Sequence, residues 1–152
     1  MSIETRPQTI SFDISAQADS PTQTRVSTRG FEFVVDEPEH LGGTDVGPNP
    51  VEYLLGALAG CLNVTAHLVA REMELDIQNL TIDIEGDLDP AKFMGLSDDA
   101  RAGYEEIRVD VSADVDASDE TIRTWLSTVE ERCPVSDNLV NSTPLALSFT
   151  FQ

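Results

Sequence analysis

The stretch GPNPVEYLLGALAGCLNVTAHLVA, residues 47–70, sets a cysteine inside a nearly uncharged apolar run whose one acid is Glu52. Asn49 can cap a helix here, and Pro50 stands at a first turn, where a missing N–H costs nothing. The pattern predicts a helix from near Pro50 to about Glu74, apolar on most sides and so central to the core. Its most apolar part, Tyr53–Ala70, contains Gly56, Gly60, Asn63, Thr65 and His67. It falls short of the roughly 18 uncharged apolar residues that cross a bilayer and reads as a buried helix.

On the N-terminal side, residues 8–18, QTISFDISAQA, alternate apolar and polar as a half-buried strand does. TRVSTRG and FEFVVDEP predict two more strands separated by Gly30, and residues 39–50 predict a loop. On the C-terminal side, NLTIDIEGDLD and YEEIRVDVSADVD predict an antiparallel pair joined by PAKFMGLSDDARAG. Ser118 opens a second helix, with Asp119 and Glu120 at its positive end. Ile122, Trp125, Leu126 and Val129 share one face of it, and Pro134 ends it. A short helical turn through SDNLVN and a last strand, PLALSFTF, close the chain. The fold class is α+β: antiparallel sheets with a long central helix and a second helix, in a single domain over residues 1–152. Residues 1–7 are expected to be a loosely ordered extension.

The 152 residues suffice for one well-filled core. Twenty-eight acids oppose nine bases, a net charge of -19, and Lys92 is the single lysine. Such a charge repels nucleic-acid phosphates and anionic membranes, so neither is an expected partner. The acids are spread along the chain, a pattern that fits a surface adapted to high salt, where screening relieves self-repulsion. The start, MSIETRPQTI, has no apolar run behind a basic segment, so a cytoplasmic setting is expected.

Two cysteines, Cys61 and Cys133, carry the chemistry. A cytoplasmic setting disfavours a purely structural disulfide, and no CxxC pair or His/Cys cluster points to zinc. Taken alone, Cys61 reads as a small, inert core hydrophobe. Cys133 lies between TIRTWLSTVEER and the cap-like PVSDNL, where backbone N–H groups favour a thiolate. A low-pKa thiol with a second thiol beside it is the arrangement of two-step peroxide chemistry. His67 follows Cys61 by six residues, more than 8 Å along a helix at roughly 1.5 Å per residue, which removes a Cys–His nucleophile pair.

GGTDVGPNPVEYLLGALAGCLNVTAHLVA followed by ERCPVSDNLVNSTPL resembles the OsmC/Ohr family of osmotically inducible and organic hydroperoxide resistance proteins. The resemblance spans about residues 8–152 and implies an OsmC-like fold in an intertwined homodimer. It implies a thiol-dependent peroxidase for organic hydroperoxides, serving stress defence without a cofactor and recycled by a dithiol such as one of lipoyl type. Cys61 matches the peroxidatic cysteine and Cys133 the resolving one. The family also brings an arginine and a glutamate to the reactive thiol from the partner subunit. Here these correspond to Glu52, one place later than in the peroxidase branch, and to Arg29, with Arg25 as the second choice. A guanidinium beside sulfur stabilises a thiolate, and a carboxylate orients the guanidinium.

Helical geometry favours that cross-subunit arrangement, since Glu52 and Cys61 would lie roughly 13 Å apart along one helix. Gly56, Ala57, Ala59 and Gly60 would let two such helices approach closely. Leu54, Leu58 and Leu62 are the expected lining of an apolar substrate pocket, with Leu55 beside them. The competing reading is a non-catalytic OsmC-like protein that binds an apolar small molecule in the same cleft.

Overall fold

The computed structural model describes residues 8–151, so the expected N-terminal extension lies outside the described residues. The chain divides into two compact units, Met1–Tyr53 and Leu54–Gln152.

The first unit holds an antiparallel three-stranded sheet in the order β1 (Ser15–Ala18), β2 (Thr24–Thr28) and β3 (Phe31–Val35). Strands β2 and β3 pair from Thr24↔Val35 to Thr28↔Phe31, which leaves a two-residue turn at Arg29 and Gly30. Both turn residues have positive φ, 49° and 89°. That is the mirror-image turn whose twist matches a hairpin, and glycine supplies its second position without strain.

After β3 the chain enters the predicted loop, which includes one short 3-10 turn, Glu39–Leu41. Asp36 organises this loop. Fully enclosed, its carboxylate accepts hydrogen bonds from Glu37 N (2.8 Å), Thr44 N (3.1 Å), Thr44 Oγ1 (2.6 Å) and Val46 N (3.3 Å). The loop folds back so tightly that a Cβ on Gly43 would sit 1.7 Å from the Glu37 carbonyl oxygen. Asn49 and Glu52 then close a reciprocal capping box: Asn49 Oδ1 accepts from Glu52 N (2.9 Å), and Glu52 Oε2 accepts from Asn49 N (2.8 Å).

That box opens α1 (Pro50–Glu72), which runs on into the second unit. There it is followed by β4 (Ile77–Leu88), β5 (Tyr104–Val115), α2 (Asp119–Arg132) and α3 (Pro134–Val140). Strands β4 and β5 form a two-stranded antiparallel ribbon, as their alternation predicts. The pairing shifts between Gln78 and Thr81, where Asn79 takes φ 51° and donates to Asp114 Oδ2 at 2.7 Å. On the exposed side of the ribbon, Arg108 is ringed by Glu85, Asp87 and Glu106.

Leu58, Leu62, Ala66, Val69 and Ala70 of α1 pack with Trp125 and Val129 of α2 and with Cys133. Ile82 and Ile84 of β4 and Ile107 of β5 press on the same cluster. Trp125 is buried, and its indole N–H donates to the Ala66 carbonyl oxygen at 2.9 Å, fixing α2 against α1. Ser118 caps α2 by accepting from Thr121 N, as expected.

Three expectations need correction. The first predicted strand contracts to Ser15–Ala18, and PLALSFTF is not a strand. Both segments have the right alternation, but a strand also needs a neighbouring edge to hydrogen-bond, and neither finds one within the described residues. Their apolar side chains stay exposed: Ile10, Phe12 and Ile14 at one end, Leu145, Leu147, Phe149 and Phe151 at the other. Third, α1 is long and apolar enough to cross a membrane by length and composition, with mean hydropathy 1.5 over its best window, because isolated polar residues hardly lower that average. Its Leu58, Leu62 and Val69 nonetheless lie in a protein core.

The Asp36 hydrogen bonds generate a pH prediction. The Thr44 hydroxyl above all, with three backbone N–H groups, holds the Asp36 pKa down to about 2 against the opposing effect of burial. A depressed folded-state pKa gives stability that is present above the ordinary carboxylate value and lost as pH falls toward the folded one. Asp36→Asn therefore lowers Tm near neutral pH, and the gap to the parent narrows as the pH of the melts falls from about 5 to about 2.

Candidate active site

Cys61 lies mid-helix on α1, between the buried Leu58 and Leu62, and is itself half-buried. Thr65, one turn later and buried, donates from Oγ1 to the Cys61 carbonyl oxygen at 2.9 Å. Cys133 reaches the same place from the far end of the unit. It is at once the last cap of α2 and the first cap of α3, with extended backbone (φ -77°, ψ 113°). Pro134 enforces that conformation, because a residue before proline is pushed out of the helical region, while proline itself suits the first position of the next helix. Cys133 is fully enclosed.

The two thiols are free and close enough for each to shift the ionisation of the other. Beside them, the Ser136 N–H donates to Cys133 Sγ at 3.5 Å. The pKa values of the pair move apart. Burial pushes Cys61 up, and the adjacent Cys133 adds to the rise, against the Val135 N–H and the Thr65 hydroxyl. Burial also opposes a Cys133 thiolate, but the Ser136, Cys61 and Val135 hydrogen bonds outweigh it and bring Cys133 down. Both directions follow from where the donors point: more of them converge on the deeper sulfur. Arg132, the nearest guanidinium in sequence, pairs with Glu72.

Leu54, Leu58 and Leu62 line a groove of about 1100 Å³ with Ile107, Leu126 and Leu139 among its other walls. Neither cysteine is among the lining residues; Leu62 and Ser136, next to each of them, are. Glu52 and Arg29 belong to the first unit. Glu52 serves the capping box, and Arg29, exposed at the hairpin turn, places its guanidinium 5.3 Å from the Phe31 ring centroid. Arg25 is held by Asp19 at 2.6 Å, so Arg29 is the less committed of the two.

Ser136, Val135 and Thr65 escaped the sequence reading. A signal existed for Ser136: in CPVS it occupies the third helical position after an N-cap, where a backbone N–H seeks a side-chain acceptor, here the Cys133 sulfur. Thr65 follows Cys61 by one helical turn, a spacing equally common in plain core.

A family model described as OsmC-like protein matches residues 42–148. No curated protein matches the sequence. Among solved structures, an OsmC-like protein from Mycoplasma pneumoniae superposes with TM-score 0.76 at 24% identity, covering 89% of this chain and 91% of that one. An organic hydroperoxide resistance protein from Elizabethkingia anophelis gives TM-score 0.65 at 16% identity, covering 90% and 93%. That of Bacillus subtilis gives 0.56 at 17% identity, covering 88% and 93%. At these identities the likeness establishes the fold.

The opposed pKa directions predict that Cys133→Ala speeds alkylation of Cys61. Removing the neighbouring sulfur takes away one cause of the raised Cys61 pKa. The Cys61 adduct, followed by peptide mass spectrometry near neutral pH, should form faster than in the parent.

Proposed function

This chain belongs to the OsmC-like protein family, and from that premise we propose that it is a thiol-dependent peroxidase reducing organic hydroperoxides. The observation that carries the reading is the contact between two free thiols, one half-buried on α1 and one enclosed at the α2–α3 junction. The Cys61 sulfur, in thiolate form, attacks a peroxide oxygen: an S–O bond forms, the O–O bond breaks, and the alcohol leaves after gaining a proton. Cys133 then attacks the sulfenic sulfur, forming the disulfide and releasing water. A cytoplasmic dithiol, such as one of lipoyl type, returns two electrons and two protons by thiol–disulfide exchange.

The functional unit in this reading is a homodimer. Three apolar surfaces favour it: residues 10–14, residues 145–151, and the α1 face bearing Gly56, Gly60, Val64 and Leu68. A second copy would supply the strand edges that the two terminal segments need, as well as Arg29 and Glu52 to the thiol pair. The groove beneath Leu54, Leu58 and Leu62 suits an alkyl or acyl peroxide better than hydrogen peroxide.

The same groove, with neither cysteine in its lining, favours a second reading, a protein that sequesters an apolar small molecule. Turnover separates the two. With cumene hydroperoxide and dihydrolipoamide the parent should consume peroxide, and Cys61→Ser should lose at least a hundredfold of that rate, since the remaining thiol, Cys133, is enclosed. Undiminished turnover by Cys61→Ser would overturn the mechanism. A parent that shows no turnover and copurifies with an apolar ligand would establish the binder.

A further inference from the structure

The groove of the second unit has an apolar depth and an acidic rim. Leu58 and Leu62 are its buried lining, and Ile107 joins them from β5. Five acids, Glu105, Glu106, Glu130, Glu131 and Asp137, line the same groove against one base, Arg101. These acids are more than the general acidity of the surface, because the groove-lining faces themselves carry them. On α2, Glu130 and Glu131 each follow by one turn a residue that lines the groove, Leu126 and Ser127. On β5, Glu105 is the extra residue of the second irregularity in the ribbon, where Asp87 pairs with Glu106 and Leu88 with Tyr104. Glu106 is held by Arg108, and Asp137 accepts from Asn141 Nδ2 at 2.9 Å. Glu105, Glu130 and Glu131 are exposed and form no ion pair with another described residue.

We propose that this rim makes the groove selective for uncharged hydroperoxides, whether esterified acyl, alkyl or aryl, over hydroperoxides that carry a carboxylate. The choice of hydroperoxides as occupants rests on the peroxidase reading; the exclusion of anionic apolar molecules does not.

A carboxylate entering the groove meets two costs. The apolar lining strips water from it, with Arg101 alone to replace that water. The free carboxylates of Glu105, Glu130 and Glu131 also repel it. An ester meets neither cost and still buries its chain against Leu58, Leu62 and Ile107. Salt separates the two costs. The screening length is about 10 Å at 0.1 M and about 3 Å at 1 M, so the repulsion fades with salt while the dehydration remains. Acid and ester go through the same chemical steps at the thiols, and the difference falls on kcat/KM.

The test compares a medium-chain hydroperoxy acid with its methyl ester, both below their micellar concentrations, at about 0.1 M and about 1 M KCl. At the lower salt kcat/KM should favour the ester by about tenfold or more, and the ratio should shrink about threefold at the higher salt. Glu130→Gln combined with Glu131→Gln should lower the low-salt ratio by about threefold. Asp83→Asn combined with Asp110→Asn removes the same charge from a cross-strand pair outside the groove lining and should leave the ratio at the parent value. A parent ratio near one, or equal effects of the two double variants, would overturn the proposal. If no hydroperoxide is consumed, cumene hydroperoxide included, the peroxidase reading fails. Displacement of Nile red by a medium-chain fatty acid and by its methyl ester then decides this proposal: the ester should displace better, and equal displacement, or none by the ester, overturns it.

Discussion

The contact between the two sulfurs depends on one backbone constraint, the extended conformation of Cys133 between two helices. If α2 simply continued, Cys133 would extend the apolar stripe of Trp125 and Val129 in helical geometry, with no helix start facing its sulfur. Pro134 forbids that continuation. It pushes Cys133 out of helical geometry and starts α3 immediately afterwards, so that N–H groups at the start of α3 point back at the sulfur. The other partner is held by packing. Leu58, Leu62 and Ala66 fix the rotation of α1, and the Trp125 hydrogen bond to Ala66 fixes α2 against it. Two sulfurs separated by seventy-two positions meet because a proline stop and an indole anchor agree.

Burial and hydrogen bonding act in opposite directions on these thiols, and local donor count decides the result. An enclosed thiol ordinarily resists ionisation. Cys133 does not, because Ser136 and Val135 replace the water it has lost. Cys61, mid-helix and beyond the reach of the helix N-terminal dipole, has fewer compensating donors and holds its proton more tightly.

Much of this was legible in the sequence. Asn49–Pro50 marked the start of α1, Ser118 and Pro134 bracketed α2, and the alternation in residues 77–88 and 104–115 gave the ribbon, because each signal acts within a few residues of its effect. The terminal segments misled for the complementary reason. Ile10, Phe12 and Ile14, and Leu145 to Phe151, carry strand periodicity, but pairing is a property of two segments and periodicity of one. The cysteine pair entered through the family resemblance, because spacing along the chain does not say whether two sulfurs seventy-two positions apart meet. Glu52 illustrates an ambiguity of another kind. A carboxylate three residues after an asparagine is a capping box by local geometry, and that role is visible whatever else the residue does.

The central claim is that Cys61 and Cys133 form one redox unit. Thiol titration with peptide mass spectrometry before and after one equivalent of an alkyl hydroperoxide tests it most directly. The account predicts that both thiols disappear together and that a peptide linking Cys61 to Cys133 appears. Two thiols still titratable after the peroxide, or a Cys61 oxidised beyond sulfenic acid beside a free Cys133, would contradict it.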